Sequence, residues 1–396
     1  DYVVLLLAHA AAAEVKAQLL SLGIQEEKIL WHDEYIARAC RGERTLYAAK
    51  PQIRLAVVTT EFNYNGGTIA AISAARAMRR FGYDVTIIPP LGDMKLIQEV
   101  NSFGIHVAVC PSFYDMDEAE LDWLQNFDFV IVNVLQCIDC AVKISRIRPM
   151  LWWLHEPSSR HCAIYQNTIF RHPQYLHDKT VQGIPIFAVS SVAERAFRGY
   201  FPGVQVRILP YCVQDEARTE AKARTPAAHN GKITFALIAG FSELKQQDLF
   251  LDAAEKLNAR YAGKIRFLLV GRAGESAYAQ KALSHAARIP NAEVRGVLTR
   301  SQMAAAYQDE IDVVVCPSLE ECLPTVITEG MMHSKVCIVS DNTGMADYIA
   351  DGVNGFVCKT GNLDSLHEKM LYCIEHFDGL GSVRHAARRT YEENFT

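Results

Sequence analysis

Short apolar runs alternate with longer segments of helical periodicity along most of the chain. The runs Ile53–Phe62, Lys232–Gly240 and Asp312–Ser318 are rich in apolar and β-branched residues and short enough for single strands. A segment with helical periodicity, from about Thr68 to Phe81, follows the first of them. Because strands that alternate with helices form parallel sheets covered by helices, the pattern predicts an α/β fold.

The strand–helix units form two series separated by a polar segment. Residues 214–231 are polar and rich in Ala, with little apolar periodicity, and we predict an interdomain linker there. We predict one doubly wound, Rossmann-like domain at residues 51–213 and a second at 232–396, facing each other across a cleft. Residues 1–50 provide only a strand, a helix and a short strand, so we predict an added N-terminal α/β fragment.

Composition and charge exclude several classes of function. The formal net charge is −5 and no long basic run occurs, so a nucleic-acid partner has no electrostatic support. No apolar run reaches the roughly 18 residues of a membrane span, which leaves at most peripheral membrane contact. The 11 cysteines are scattered, and the pair Cys137 and Cys140 lacks a second pair, so we expect reduced thiols, no metal site and a cytoplasmic location.

The stretch CPSLEECLPTVITEG, residues 316–330, places acids around the start of a predicted helix. Pro324 suits a first helical turn, and the free amides near it would bind a phosphate; we assign them to Leu323, Thr325 and Val326. The neighbouring acid Glu320 receives no role, and we expect it to be solvated.

Two acids of this stretch, Glu321 and Glu329, have seven residues between them. Carboxylates repel phosphate but hold hydroxyl groups strongly. A ligand with phosphate in the middle and hydroxyls at both ends, a nucleotide-sugar, fits this arrangement. The alternative is that Glu321 caps the helix and Glu329 lies at the surface.

The motif Pro317-Ser318-x-x-Glu321, with Glu329 after it and NTGMADYIADGVNGFV following, resembles the donor site of retaining GT-B glycosyltransferases, the family of glycosyl transferases group 1. In that family the first Glu holds sugar hydroxyls and the second holds the nucleotide ribose. The resemblance implies transfer of a sugar from a nucleotide-diphosphate-sugar to an acceptor hydroxyl, with retention of configuration. It also implies that no cofactor and no metal take part.

The segment IAGFSELKQQ resembles the loop that opens the second domain in this family, with Gly240 and Lys245 in place. The lysine would neutralise the diphosphate and stabilise the leaving group. Two positions depart from the family pattern, because Phe241 stands where Arg is common and Gln246 where Gly is common. Arg272 is our candidate for the missing diphosphate contact; the alternative is a surface arginine.

Four further positions are candidates by the same resemblance. The backbone near Val294 would seat the base. Gly66 and Gly67, between the first strand of their domain and its helix, would lie against the diphosphate and sugar, although turn glycines are the alternative. His155, at the end of a predicted strand, would contact donor sugar or acceptor, and a structural histidine is the alternative.

We therefore predict a metal-independent hexosyltransferase with Lys245, Glu321 and His155 as catalytic residues. Its partners would be a nucleotide-diphosphate-sugar and a glycan, lipid-linked or small-molecule acceptor, in polysaccharide or glycoconjugate synthesis. Two alternatives remain open: a GT-B epimerase, and a non-catalytic nucleotide-sugar-binding or assembly protein of the same fold.

Overall fold

The computed structural model describes residues 4–6, 12–21, 23, 25–26, 29–31, 53–157, 163–217 and 231–396. Most of the predicted linker lies outside these residues, as does much of the predicted N-terminal fragment. The chain divides into two compact units. Unit 1 comprises Asp1–Leu154, Gln166–Phe187 and Gly203–Val206, and unit 2 comprises His155–Tyr165, Ala188–Pro202 and Arg207–Thr396. The predicted domain limits stay predictions.

The N-terminal elements are a strand, a helix and a strand, with the two strands paired in parallel. They are β1 (Val4–Leu6), α1 (Ala12–Ser21) and β2 (Ile29–Trp31).

Strands and helices then alternate up to residue 208, as the pattern predicts. The strands are β3 (Arg54–Val58), β4 (Asp84–Ile88), β5 (His106–Val107), β6 (Phe129–Asn133), β7 (Met150–Leu154), β8 (Ile186–Ala188) and β9 (Val206–Ile208). The helices are α2 (Gly66–Arg80), α3 (Met94–Ser102), α4 (Ile138–Ile147), α5 (Ile164–Arg171), α6 (Lys179–Gly183) and α7 (Ser191–Tyr200).

These seven strands form one sheet in the order β5-β4-β3-β6-β7-β8-β9. The central pairs are parallel, with Leu55 opposite both Val85 and Phe129. The winding reverses between β3 and β6, which gives the sheet the doubly wound topology that the sequence predicts.

The rest of the chain repeats this alternation. Its strands are β10 (Ile233–Ile238), β11 (Ile265–Val270), β12 (Ala292–Arg295), β13 (Val313–Cys316), β14 (Val336–Ser340) and β15 (Phe356–Cys358). Its helices are α8 (Gln247–Tyr261), α9 (Ala277–Ala286), α10 (Arg300–Asp309), α11 (Thr325–Met332), α12 (Leu363–Glu375) and α13 (Gly381–Asn394).

The second sheet has six strands in the order β12-β11-β10-β13-β14-β15, and all its pairs are parallel. The central strands are mostly apolar, as expected for a parallel sheet with helices on both faces; all four residues of β13 are buried. Phe250 of α8 packs edge-to-face on Phe267 of β11 with ring centroids 5.8 Å apart. This core fixes the strand ends that carry the candidate site.

Within the part of the chain that the structure describes, no helix is long and apolar enough to cross a membrane. The described cysteines, nine in number, are all free thiols, and eight of them are buried.

Candidate active site

The second sheet reverses its winding between β10 and β13. In an open parallel sheet, the crevice at the carboxyl ends of such a strand pair is where ligands bind. Gly240 follows β10 and Ser318 follows β13, so the two segments with candidate chemistry leave the sheet side by side. The backbone N–H of Leu319 donates to the carbonyl of Leu244 at 2.9 Å, which joins the two loops directly.

Glu321 lies in the loop between β13 and α11, which we call the donor loop (residues 317–324). Its backbone is held by the segment Asn342-Thr343-Gly344 through an isolated bridge to Thr343. The N–H of Gly344 donates to the Glu321 carbonyl at 2.9 Å. The Asn342 side chain donates to the carbonyl of Leu319 at 2.8 Å. The segment Asn342-Thr343-Gly344 therefore fixes the backbone position from which the Glu321 side chain extends.

Gly344 has no room for a side chain. A Cβ built there would lie 1.8 Å from the Cys322 carbonyl oxygen and 2.3 Å from the Cβ of Ser190. Only glycine permits this approach, which keeps the segment in contact with the donor loop.

Lys245 and Glu321 form an ion pair in this ligand-free structure. Burial favours the neutral amine, but the Glu321 carboxylate outweighs it and raises the pKa of Lys245, which therefore stays charged at neutral pH. The two residues are 76 positions apart, and the sequence predicted a role for each but not their contact. A diphosphate that binds Lys245 must therefore compete with Glu321 or share the ammonium group with it.

Helix α11 begins at Thr325 with Pro324 before it, as predicted. The amides of Thr325 and Val326 lie in the first turn, where an α-helix offers N–H groups no carbonyl partner of its own. The carbonyl of Leu323 accepts a hydrogen bond from the buried hydroxyl of Tyr211. Sequence reasoning assigned no role to Tyr211, whereas in the structure its hydroxyl anchors the donor loop.

Glu329 lies one turn inside α11. Burial raises the pKa of its carboxyl group to about 7, against the lowering effects of the Tyr307 hydroxyl and the Arg300 charge. The Tyr307 hydroxyl also donates to the Val326 carbonyl at 3.0 Å, and its ring stacks on His333 with centroids 5.3 Å apart. Sequence reasoning missed Tyr307; its position on an otherwise weakly apolar helix gave no distinct signal.

Phe241, one of the two departures from the family pattern, lies in the loop that follows β10. Phe241 is buried in the core of unit 2, so its side chain points away from solvent, and its backbone N–H donates to the Arg272 carbonyl at 2.9 Å. The Arg272 side chain is exposed. The carbonyl of exposed Gly240 accepts from the side chain of buried Gln247 at 3.0 Å.

Gln246 explains the other departure. Its backbone has φ 56° and ψ 45°, a left-handed conformation. Glycine adopts this conformation without steric penalty, whereas glutamine does not. The loop thus keeps the backbone shape that suits glycine.

Val294, the predicted base-binding position, lies in β12 with 36% of its surface exposed. Its neighbour Arg295 is held by two hydrogen bonds to Glu310, at 3.0 and 2.8 Å. This ion pair occupies the arginine, and the assignment of Val294 to the base stays a prediction.

Gly66 and Gly67 form the first residues of α2 in unit 1, so the helix starts two residues before the predicted Thr68. A Cβ on Gly67 would lie 2.8 Å from Cγ1 of Val134, whereas one on Gly66 would meet nothing within 4 Å. Gly67 therefore has a packing reason to be glycine. Gly66 has the room that a ligand contact needs.

His155 directly follows β7 and is half-buried. Its backbone N–H donates to the carboxylate of buried Glu156 at 3.0 Å. Burial lowers the pKa of the His155 ring to about 3, so the imidazole is neutral at pH 7 and can serve as a hydrogen-bonding group but not as a cation.

Glu320 corrects one expectation. It is half-buried rather than solvated, and its Oε2 atom is buried without a hydrogen-bond partner among the described residues. Among the residues that the structure describes, no group of three or more potential metal ligands stands together.

The C-terminal part of the chain matches a known protein family. Residues 218–388 match the family model described as "Glycosyl transferases group 1". No curated protein sequence matches the chain.

Solved structures match over most of the chain. A glycosyltransferase from Rickettsia africae has a TM-score of 0.69 at 16% identity, covering 88% of this chain and 95% of its own. The Anabaena protein Alr3699/HepE, solved with UDP and glucose, has a TM-score of 0.68 at 17% identity, covering 87% and 96%. A sucrose-phosphate synthase from Thermosynechococcus elongatus has a TM-score of 0.63 at 14% identity, covering 87% and 95%. The chain thus has the GT-B fold, and its residues 218–388 are similar to the glycosyl transferases group 1 family.

Proposed function

We propose that this protein is a retaining glycosyltransferase that moves a hexose from a nucleotide-diphosphate-sugar to an acceptor hydroxyl. The observation that carries the proposal is the grouping of Lys245 and Glu321 at the switch point of the second sheet, with Glu329 one turn inside the following helix. A charged amine, free helix amides and two carboxylates match the diphosphate and the hydroxyl groups of such a donor.

Each residue takes a distinct part in the proposed reaction. Lys245 and the first-turn amides of α11 receive the negative charge that develops on the diphosphate as the glycosidic bond breaks. Glu321 holds sugar hydroxyls and Glu329 holds ribose hydroxyls. The leaving phosphate takes the proton of the acceptor hydroxyl on the same face of the sugar. None of these steps uses a metal ion. Metal independence is part of the proposal, and so is a cytoplasmic location.

Uridine diphosphate-glucose is the first donor to test. The Anabaena neighbour was solved with UDP, with UDP and glucose, and with UDP-glucose. Because the base contacts backbone near Val294, whose side chain selects no base, GDP- and ADP-sugars belong in the same panel.

The first prediction concerns donor turnover. Purified protein should release free nucleoside diphosphate from one donor of the panel, slowly without acceptor and faster with one. Lys245→Ala should lower turnover on the order of 100-fold, as expected for loss of a group that stabilises the leaving charge. Glu329→Gln should weaken nucleotide binding about tenfold, measured by calorimetry.

Lys256→Ala is the matched control, because Lys256 pairs with exposed Asp364 at 3.1 Å on the surface. It should behave like wild type. Wild-type rates in both site variants would show that the site is assigned wrongly. Nucleotide binding without any turnover, including donor hydrolysis, would favour the non-catalytic alternative.

A further inference from the structure

The segment that enters the predicted linker is bound tightly to unit 2. The Arg388 guanidinium donates to Asp215 at 2.5 and 3.2 Å and to the Met332 carbonyl at 2.5 Å. The Tyr391 hydroxyl donates to the Val213 carbonyl at 2.6 Å. The backbone N–H of Glu216 faces the Met332 sulfur at 3.5 Å. The segment therefore lies against the end of α11, the helix that carries Glu329.

Helix α10 presents an arginine to the same place. Arg300 forms an ion pair with Glu216. Arg300 and Tyr307 are seven positions apart, so they lie on the same face of α10. Tyr307 contacts α11 directly, through its hydrogen bond to Val326 and its stacking on His333. The face that bears Arg300 is therefore the face turned to α11.

We propose that Glu216 is a positioning residue: by pairing with Arg300 it holds that guanidinium away from Glu329, which leaves the Glu329 carboxyl group available to a nucleotide ribose. The inference rests on the proposed function for the ligand of Glu329, but the contact itself can be tested without a ligand. No ion-pair partner of Glu329 occurs among the described residues, so Arg300 is the cation whose placement matters.

The charges around Glu329 agree with this arrangement. Tyr307 of α10 and the Arg300 charge act to lower the pKa of the Glu329 carboxyl group, and the Glu216 charge acts to raise it. Tyr211, which anchors the donor loop, also lies within electrostatic reach of Glu329. Without the Glu216 charge, nothing from Glu216 would oppose the lowering effect of Arg300 on the pKa of the Glu329 carboxyl group. Glu329 would then be ionised and paired within the protein.

The pH dependence of unfolding reports this pairing. The pKa of the Glu329 carboxyl group is raised to about 7 in the folded chain from 4.5. The native state therefore binds more protons between these values and loses stability as pH rises through that window. The pKa values of His155 and His333 are lowered to about 3 and about 4. These two groups therefore have the opposite effect below pH 6.5, where they make the folded state more stable as pH rises. The difference between a variant and wild type isolates the Glu329 contribution.

The test is urea unfolding of the ligand-free chain from pH 5 to 8. The free energy of unfolding of Glu329→Gln, relative to that of wild type, should increase from pH 5 to pH 8. Glu216→Gln should show the same trend, because Arg300 then neutralises Glu329. The double variant Glu216→Gln with Arg300→Gln should follow the wild-type profile. Glu118→Gln, which breaks a separate Glu–Arg pair of 2.5 Å to Arg146, is the control and should show no trend.

A Glu216→Gln profile parallel to that of wild type would overturn the proposal. So would a double variant that keeps the trend of the single one.

A second measurement uses UDP. Glu216→Gln should weaken UDP binding at neutral pH about tenfold, and the double variant should regain most of the affinity. Equal affinity in wild type and Glu216→Gln would refute the role toward the nucleotide. Absence of UDP, GDP and ADP binding to wild type would overturn the proposed function and that role together, whatever the unfolding curves show.

Discussion

At the scale of single residues, Gln246 shows how this chain departs from a family pattern without changing the backbone. Its φ of 56° is one of three positive values among the described non-glycine residues. The preceding Lys245 must reach Glu321, and the following Gln247 is buried with hydrogen bonds to Gly240 and Ser242. Both neighbours fix the loop, so residue 246 takes the left-handed conformation whatever its side chain.

Replacing Gln246 with glycine should therefore stabilise the protein. Relief of the left-handed strain is worth about 1 kcal/mol, partly offset by the greater entropy of glycine in the unfolded chain. Urea unfolding measures the change. Gln246→Ala is the control: it removes the same side chain, including its hydrogen bond to the Glu243 carbonyl, but retains Cβ. If alanine stabilises as much as glycine, strain at this residue is not the cause.

At the scale of secondary-structure elements, the sequence predicts strands and helices well because each carries its own period. The buried run of β13 and the helix that starts after Pro324 are both found as predicted. The contacts of the donor loop carry no local signal. The ion pair of Lys245 with Glu321 and the hydrogen bond of Tyr211 to Leu323 each join residues more than 70 positions apart. Such contacts depend on the order of strands in the sheet.

The turn that holds the donor loop offers a test at this scale. Gly344→Ala would force a Cβ against the Cys322 carbonyl and the Ser190 side chain, so one of these segments must move. We expect a loss of stability of about 2–4 kcal/mol, together with weaker donor binding because Glu321 shifts with its carbonyl partner.

Gly379→Ala is the matched control for that variant, since a Cβ there would meet nothing within 4 Å. It should be near neutral in stability and in donor binding. Normal stability and donor binding in Gly344→Ala would mean that the NTG segment does not position Glu321.

At the scale of the whole molecule, charge poses the main question. The chain carries a formal net charge of −5, yet its proposed substrate is an anion. The candidate site meets this locally: Lys245 stays charged, Arg272 is exposed after the neighbouring strand, and the first-turn amides of α11 add a favourable dipole. The net charge of the chain does not reveal this local arrangement, because two cations and one helix N-terminus are a small part of all its charges.

The last prediction follows from this local balance. If Lys245 and the α11 amides supply the positive potential that a divalent ion would otherwise provide, turnover in excess EDTA should stay within about twofold of the untreated rate. The same assay on Lys245→Ala shows whether a metal can replace the lysine: we expect added Mg²⁺ to restore little, because Glu321 is held by backbone contacts in a place suited to hydroxyl groups. A large loss of wild-type turnover in EDTA, reversed by Mg²⁺, would show that the diphosphate charge is met by a metal instead.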